Sequence, residues 1–193
     1  MDYQNILSSQ REFFNTQKTK NIKFRKIYLE KLRDLIIQNE NYLYEAIYKD
    51  FGKSPFETYV TEISFILKDI DYYLKNLNRL SKPKKVTTNL ANQFATSRIH
   101  SEPLGCTLVI GAWNYPYQLS LSPLIASIAA GNCCILKPSE IAEHTMKAMP
   151  KSLMKISLQN TFMFLRAELK KQQKFSSSDL IKYFSREAQR WVK

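Results

Sequence analysis

Two short polar segments hold the side chains whose types could do chemistry. In Trp-Asn-Tyr-Pro, residues 113–116, the Asn114 amide can donate a hydrogen bond without carrying a charge. In Lys-Pro-Ser-Glu, residues 137–140, an ammonium and a carboxylate can bond hydroxyl groups, and the ammonium can also meet a phosphate. Each segment alone is ordinary, because an asparagine after a strand is usually a turn former and Lys-Pro-Ser-Glu is usually a solvated helix start.

Three cysteines, Cys106, Cys133 and Cys134, are the other candidates for chemistry, as nucleophiles. A nucleophilic thiol needs a polar, partly exposed setting that favours its thiolate. All three lie in short apolar runs that predict buried strands, which favours structural thiols. An odd count with two adjacent members is also a poor framework for disulfides. We therefore expect no catalytic thiol in this sequence.

The elements that must position the two polar segments are two strands and the helix between them. Residues 106–110 and 133–136 are short apolar, partly β-branched runs that predict buried strands. Residues 119–130, closed by Gly131, are long enough for a helix that crosses from one strand to the next. This order predicts a βαβ unit.

Local signals also flank the βαβ unit. Residues 81–93 are rich in Lys, Thr and Asn, which predicts an exposed connection or an edge hairpin. After the second strand, Ser139 is placed to cap a further helix that contains Ile141, Ala142 and Met146.

Two long amphipathic helices are predicted before the βαβ unit. Over residues 24–47, apolar residues recur at steps of three and four, which predicts one long helix ending at Gly52. Ser54 then supplies a capping hydroxyl, with Pro55 at the first helical position and Glu57 able to reach back. The short turn between the two helices predicts an antiparallel pair. The apolar stripe of the second helix consists of Phe56, Tyr59, Val60, Ile63, Ile66, Leu67, Ile70, Leu74 and Leu77.

Composition and charge limit the class of protein. The 193 residues are 44% apolar, enough to bury a core, and no run reaches the roughly 18 apolar residues of a membrane span. The amino end shows no basic segment followed by an apolar one, so a cytoplasmic location is expected. The net charge is +12, and residues 147–193 hold 11 basic and 3 acidic residues, which accounts for +8 of it. The basic character therefore belongs mainly to the tail.

Five segments of the sequence form a specific combination. They are Phe24-Arg25, Asp50-Phe51-Gly52-Lys53, Ser101-Glu102-Pro103-Leu104-Gly105, Gly111-Ala112-Trp113-Asn114-Tyr115-Pro116 and Leu136-Lys137-Pro138-Ser139-Glu140. In this order they resemble the aldehyde dehydrogenase superfamily, and within it the class-three group that acts on fatty and aromatic aldehydes. The likeness covers about residues 3–149.

The resemblance implies an α/β fold in which an N-terminal helical pair precedes an incomplete Rossmann-like parallel sheet, as in a truncated aldehyde dehydrogenase. It divides the chain into three parts. Residues 1–80 form the N-terminal helices, residues 81–149 begin an NAD(P)-binding α/β domain, and residues 150–193 form a divergent basic tail.

The resemblance also implies an activity, the oxidation of an aldehyde to a carboxylic acid with NAD or NADP, through a cysteine thiohemiacetal that gives hydride to the nicotinamide. Asn114 matches the position that donates to the oxyanion. An aldehyde and, as one option, a second copy of the chain are the implied partners, and no metal is expected. The family's cofactor-binding positions match Ile110, Gly111, Trp113, Lys137, Ser139 and Glu140, of which Lys137 and Glu140 would hold the adenosine ribose.

The family's nucleophilic cysteine and general-base glutamate belong to segments that this sequence does not contain. We therefore expect no turnover by this chain and weak or absent cofactor binding. The likeness is expected to stop near Met149, and back-translation of residues 149–157 and 183–193, shifted by one base, yields family-like sequence. This pattern predicts a one-base deletion near codon 150, with the tail read out of frame.

Two other functions stay open. One is a basic module that binds nucleic acid or an anionic surface, although charge alone supports only a non-specific, salt-sensitive attraction, so nucleic acid is the less favoured partner. The other is a non-catalytic remnant that docks on a full-length relative through its helices. The cations of the basic module would be Lys170, Lys171, Lys174, Lys182, Arg186 and Arg190.

Overall fold

The computed structural model describes residues 3–157 and 162–164. Helices dominate the first 80 residues, and a short hairpin then leads into a parallel sheet. The helices are α1 (Tyr3–Asn15), α2 (Ile22–Gln38), α3 (Glu40–Phe51), α4 (Pro55–Thr58), α5 (Ser64–Leu80), α6 (Gln118–Ala130) and α7 (Glu143–Ser157). The strands are β1 (Lys84–Val86), β2 (Ser97–Ile99), β3 (Cys106–Ile110), β4 (Cys133–Lys137) and β5 (Phe162–Phe164).

The parallel sheet has the strand order β3-β4-β5. Its register pairs Cys106 with Cys133 and Ile110 with Lys137, so the carboxyl ends of β3 and β4 lie side by side. Helix α6 connects β3 to β4, which confirms the predicted βαβ unit, and α7 leads on to β5. The predicted fold class, N-terminal helices followed by a short parallel α/β sheet, is confirmed.

Helices cover both faces of this sheet. Val109, Cys134 and Leu136 join the main core, which they share with α2, α3, α5, α6 and α7. On the other face, Leu7 of α1 packs with Ile135. Successive strand residues point to opposite faces, so neighbouring residues of β4 pack into two different cores. A parallel sheet needs this two-sided cover because both of its faces are apolar.

The prediction of one long helix over residues 24–47 is wrong, because the segment forms two helices. Asn39 separates α2 from α3 with φ −111° and ψ 13°. Its side-chain amide donates to the Leu35 carbonyl at 2.7 Å. Asparagine competes for backbone groups in this way, so the helix breaks although the apolar period continues. The predicted stop at Gly52 is confirmed, and its φ of 66° is one that favours glycine.

The predicted start of the next helix is confirmed. Ser54 Oγ accepts a hydrogen bond from the Glu57 N–H at 3.1 Å, and Pro55 is the first residue of α4. Both signals lie within four residues of each other, which explains why the sequence alone locates this cap.

The apolar stripe of that helix is predicted wrongly in its first turns. A π turn at Tyr59–Ile63 separates α4 from α5. A π turn adds a residue to the helical repeat, so the face that points inward shifts along the chain. Thr58, Glu62 and Ile63 are fully buried as a result. The predicted stripe residues that are exposed instead are Phe56, Tyr59 and Val60.

An antiparallel hairpin follows α5. It pairs Lys84 with Ile99 and Val86 with Ser97. Its residues are mostly exposed, which confirms the edge hairpin and extends it to residue 99.

The predicted cap of the helix after β4 is wrong. Ser139 Oγ accepts from the Ile141 N–H at 3.3 Å, a local turn, and α7 begins further along the chain. The cap comes instead from Asp50, whose carboxylate accepts from the His144 N–H at 2.9 Å and the Thr145 N–H at 2.7 Å. Asp50 lies more than 90 residues earlier, so no local signal marks it.

A buried arginine closes the carboxyl end of α6. The Arg25 guanidinium donates to the carbonyls of Thr19 at 2.7 Å, Lys20 at 2.9 Å and Ala129 at 3.3 Å. Gly131 ends the helix with φ 91°, and a Cβ built there would lie 2.7 Å from Arg25 Cζ. A cation at this end complements the negative end of the helix dipole.

The predicted basic tail, residues 150–193, lies largely outside the described residues, and so do the six cations of the alternative basic module. Two elements reach into it, the last turns of α7 and strand β5. Across residues 3–157 and 162–164, no helix combines the length and the apolar character that crossing a membrane requires.

Candidate functional site

The candidate site lies at the carboxyl edge of the sheet, where β3 and β4 end. The Gly111 N–H donates to the Lys137 carbonyl at 2.8 Å, just beyond the last paired residues. A Cβ built on Gly111 would lie 2.1 Å from Ser120 Oγ, so only glycine allows this close contact with α6. The loop that carries Asn114 and the loop that carries Glu140 therefore start from adjacent points.

The loop after β3 holds Asn114 by its backbone and leaves its side chain exposed. Lys53 Nζ donates to the Asn114 carbonyl at 3.2 Å and stands 4.3 Å from the centre of the Tyr115 ring. Trp113 is half exposed, with its ring 6.3 Å from that of Phe51. Within the part of the chain that the structure describes, the Asn114 amide makes no hydrogen bond, so it can donate to a ligand.

A buried carboxylate anchors the same loop. Glu62 is fully buried, and its Oε1 accepts from Lys53 Nζ at 2.9 Å. Its Oε2 accepts from the N–H groups of Tyr117 at 2.8 Å and Gln118 at 3.2 Å. These N–H groups open α6, where the helix dipole favours negative charge. The Lys53–Glu62 pair thus ties both the Asn114 loop and the start of α6 to the helical part of the protein.

Tyr117 fixes the first turn of α6 from the other side. Its side chain is fully buried, and its hydroxyl donates to the Leu43 carbonyl at 2.7 Å. Burial raises the pKa of the Tyr117 phenol far above its usual value, so the hydroxyl keeps its proton and remains a donor.

The role of Glu62 as an anchor for α6 could not be found from the sequence. The backbone partners of Glu62 lie 55 and 56 residues further along the chain. One weak signal exists, a carboxylate beside the apolar stripe of an amphipathic helix, because a buried acid needs partners.

Lys137 and Glu140 form an ion pair at the end of β4. Lys137 Nζ lies 2.6 Å from Glu140 Oε2, with side chains 5% and 43% exposed respectively. The hydrogen bond from Lys137 lowers the pKa of Glu140, so the carboxylate is ionised at neutral pH. Ser139 lies between them and is buried, and its hydroxyl accepts the hydrogen bond from the Ile141 N–H in the local turn.

The chemistry of this pair fits a ligand that carries hydroxyl or phosphate groups. A carboxylate accepts from ribose hydroxyls, and an ammonium can donate to the same hydroxyls or meet a 2′-phosphate. Glu140 retains enough exposure to reach a ligand, while Lys137 is held in place by burial. Ile110, the last residue of β3, is paired with Lys137 and lies at the same edge.

A cavity of about 240 Å³ lies elsewhere in the molecule. It is formed by the ends of α5 and α6 and by residues 101–102, with Arg25 on its wall. None of the predicted site residues lines it. This cavity is therefore separate from the candidate site.

The cysteines do not bring a thiol to this edge. Cys106 and Cys133 are the first residues of β3 and β4, at the opposite end of the strands from Gly111. Cys134 is fully buried, and burial raises its pKa to about 11. Among the described residues, no three His, Cys, Asp or Glu side chains could share a metal ion.

Comparison with known sequences decides the family. A profile described as the aldehyde dehydrogenase family matches residues 1–163. The chain belongs to the aldehyde dehydrogenase family. The match reaches beyond residue 149, where the likeness is expected to end, and includes α7 and most of β5.

Individual relatives agree with this assignment. Aldehyde dehydrogenase family 3 member B3 of Mus musculus is 42% identical over 151 residues, which are 78% of this chain and 32% of that protein. The 4,4′-diaponeurosporen-aldehyde dehydrogenase of Staphylococcus aureus is 45% identical over 139 residues, 72% of this chain and 30% of that protein. The likeness to family 3 members confirms the class-three resemblance. The chain spans about a third of the length of the curated relatives it matches.

A solved structure shows the same fold. The substrate-bound state of Staphylococcus aureus AldH superposes with a TM-score of 0.84 at 37% sequence identity. The superposition covers 90% of this chain and 38% of that one. The short parallel sheet with its N-terminal helices is therefore part of an aldehyde dehydrogenase fold.

Proposed function

We propose that this chain carries the ribose-binding and oxyanion-binding residues of an NAD(P)-dependent enzyme that oxidises an aldehyde to a carboxylic acid. The observation that carries this proposal is the 2.6 Å Lys137–Glu140 pair at the end of β4. The Gly111–Lys137 hydrogen bond joins that pair to the loop that holds Asn114. Residues 1–80 then support the site, residues 81–149 begin the cofactor domain, and residues 150–193 are a basic tail that diverges beyond the family match at residue 163.

The cofactor-binding residues have separate tasks. Glu140 accepts from the ribose hydroxyls, and Lys137 donates to them or to a 2′-phosphate. Ser139 keeps the turn between them, through its bond with the Ile141 N–H. Bound NAD or NADP would supply the hydride acceptor of the reaction. The groove beside the ribose would be lined by Ile110, Gly111 and Trp113.

Asn114 is the proposed oxyanion donor. A preorganised donor at a developing oxyanion contributes about 3 kcal/mol to the barrier reduction, provided that its position is fixed beforehand. Lys53 supplies that fixation by binding the Asn114 carbonyl, and Glu62 holds Lys53. The amide can then meet the oxyanion without reorganising its loop.

We infer that the chain by itself performs no turnover and binds the cofactor weakly. Attack on an aldehyde needs an activated thiolate within reach of the Asn114 amide. Cys106 and Cys133 lie at the opposite end of their strands, and Cys134 is buried in β4. The three described parallel strands and their loops also bury less of a dinucleotide than a full doubly wound sheet does.

Saturation-transfer NMR on the full chain, titrated with NAD⁺ and NADP⁺, tests the proposal at the weak affinities expected. Lys137→Ala should raise the Kd, obtained by titrating the adenosine-ribose signal, about tenfold. Lys151→Ala, which removes an exposed lysine of α7, is the matched control and should change nothing. Equal signals from both variants would refute the ribose site, and NAD-dependent oxidation of an aliphatic aldehyde by the purified chain would refute the inferred lack of turnover.

A further inference from the structure

Two thiols face each other at the amino end of the parallel sheet. Cys106 is the first residue of β3, Cys133 is the first residue of β4, and the register pairs them directly. Neighbouring strands lie about 4.8 Å apart, and residues paired in a ladder project to the same face. Disulfides join Cα atoms about 4.4–6.8 Å apart, so the backbone already brings this pair within bonding range.

The two thiols differ in access and in acidity. Cys133 is fully buried, whereas Cys106 is half buried and packs against the small cluster of Leu7 and Ile135. The Cys133 thiol is a hydrogen-bond partner of Cys106, which lowers the pKa of Cys106 and raises that of Cys133. The positive charge of Arg11 on α1 acts in the same direction on Cys106. The more accessible thiol is therefore also the one that ionises first.

We propose that Cys106 and Cys133 form a redox-active pair that closes to an intramolecular disulfide on oxidation by hydrogen peroxide. The inference is independent of the proposed aldehyde chemistry, since the pair lies at the far end of the strands from Asn114.

The reaction proceeds in two steps that balance. The Cys106 thiolate attacks one peroxide oxygen, the O–O bond breaks, and the hydroxide that leaves takes up a proton to become water. The Cys133 sulfur then attacks the sulfur of the Cys106 sulfenic acid, so that an S–S bond forms and the S–O bond breaks. The hydroxide that leaves takes the proton of the Cys133 thiol and becomes a second water. Two thiols are oxidised and one peroxide is reduced, and a dithiol such as dithiothreitol reverses the change.

The third thiol provides an internal control. Cys134 follows Cys133 in β4, so its side chain points to the opposite face of the sheet, where it joins the main core. Cys134 is also fully buried in that core, so it faces away from the Cys106 sulfur and is shielded from peroxide. Cys134→Ser should therefore leave the oxidation of the pair unchanged.

Thiol counting by mass spectrometry on the full chain tests the proposal. The protein is treated with hydrogen peroxide, unfolded and alkylated with N-ethylmaleimide. The reduced chain should take up three adducts, and the oxidised chain one, with a mass lower by about 2 Da before alkylation. Peptide mapping of the unmutated chain should find the Cys106–Cys133 linkage, which dithiothreitol removes.

Variants separate the pair from other sulfur chemistry. Cys106→Ser and Cys133→Ser should each abolish the intramolecular disulfide, and Cys134→Ser should retain it. Three adducts after peroxide treatment, a linkage that involves Cys134, or only irreversible sulfinic acid at Cys106 would each overturn the proposal. Because the mapping uses the unmutated chain, a variant that fails to fold does not remove the test.

Discussion

Glu62 and Lys53 form an ion pair inside the protein, 2.9 Å between Oε1 and Nζ, at the point where the N-terminal helices meet the start of α6. The remaining oxygen of Glu62 accepts two backbone N–H groups of α6, and Lys53 reaches the Asn114 carbonyl. One carboxylate therefore positions both a helix and the loop that carries the candidate oxyanion donor.

Removing the charge of Glu62 should destabilise the protein strongly. Glu62→Gln keeps the shape but leaves the Lys53 ammonium, whose side chain is only 14% exposed, without a counter-charge. Breaking a buried pair by removing one partner costs about 3 kcal/mol or more. Chemical denaturation should show this loss in the free energy of unfolding. Glu45→Gln, at an exposed position of α3, should cost less than about 0.5 kcal/mol. Equal losses in the two variants would contradict the anchoring role.

A methyl group at Gly111 should also be costly, and a second substitution should relieve part of the cost. Gly111→Ala places a Cβ 2.1 Å from Ser120 Oγ, and overpacking of this kind costs about 1–3 kcal/mol. Ser120 Oγ is buried without a hydrogen-bond partner, so Ser120→Ala alone should be nearly neutral. The double variant should be more stable than Gly111→Ala, measured by thermal unfolding. If the double variant unfolds at the same temperature as Gly111→Ala, the added methyl group does not clash with the Ser120 hydroxyl.

The Lys137–Glu140 pair should make stability depend on acid. The hydrogen bond from Lys137 lowers the pKa of folded Glu140, so the pair stabilises the fold above the unfolded pKa of about 4.3. As the pH falls through the lower folded pKa, that contribution is lost. The difference in unfolding free energy between the unmutated protein and Glu140→Gln should therefore be present at neutral pH and shrink at acidic pH. A difference that stays constant with pH would show that the charge of Glu140 contributes nothing.

The nucleotide sequence of the gene should show whether the tail is read out of frame. The family resemblance implies that the chain should continue with a Glu-Gly-Gly turn and then Phe-Thr-Gly-Ser. A one-base deletion near codon 150 predicts that the alternative frame encodes both motifs before codon 193. Resequencing the locus checks both the deletion and the motifs. Stop codons in that frame, or the absence of both motifs, would refute the deletion.

The parts of the fold that sequence reasoning located are those fixed by neighbours along the chain. The Ser54 cap, the stop at Gly52 and the two strands of the βαβ unit each depend on residues within a few positions of each other. The break at Asn39 is also local, but a continuous apolar period hides it.

The parts that sequence reasoning missed depend on distant partners. Asp50 caps α7, and Glu62 binds the start of α6, across more than 50 residues in each case. The π turn at Tyr59–Ile63 changes which side chains point inward, and no residue type in the sequence indicates it. For the candidate site, the motifs identified Asn114, Lys137 and Glu140, whereas the groups that hold the Asn114 loop became visible only in three dimensions.

Both charged groups that complete α6, Arg25 at its carboxyl end and Glu62 at its amino end, come from segments that precede it in the chain. During synthesis, the two side chains that bind the ends of this helix are therefore made before the helix itself. The negative charge at one end and the positive charge at the other then favour a single direction of α6, because they complement the helix dipole.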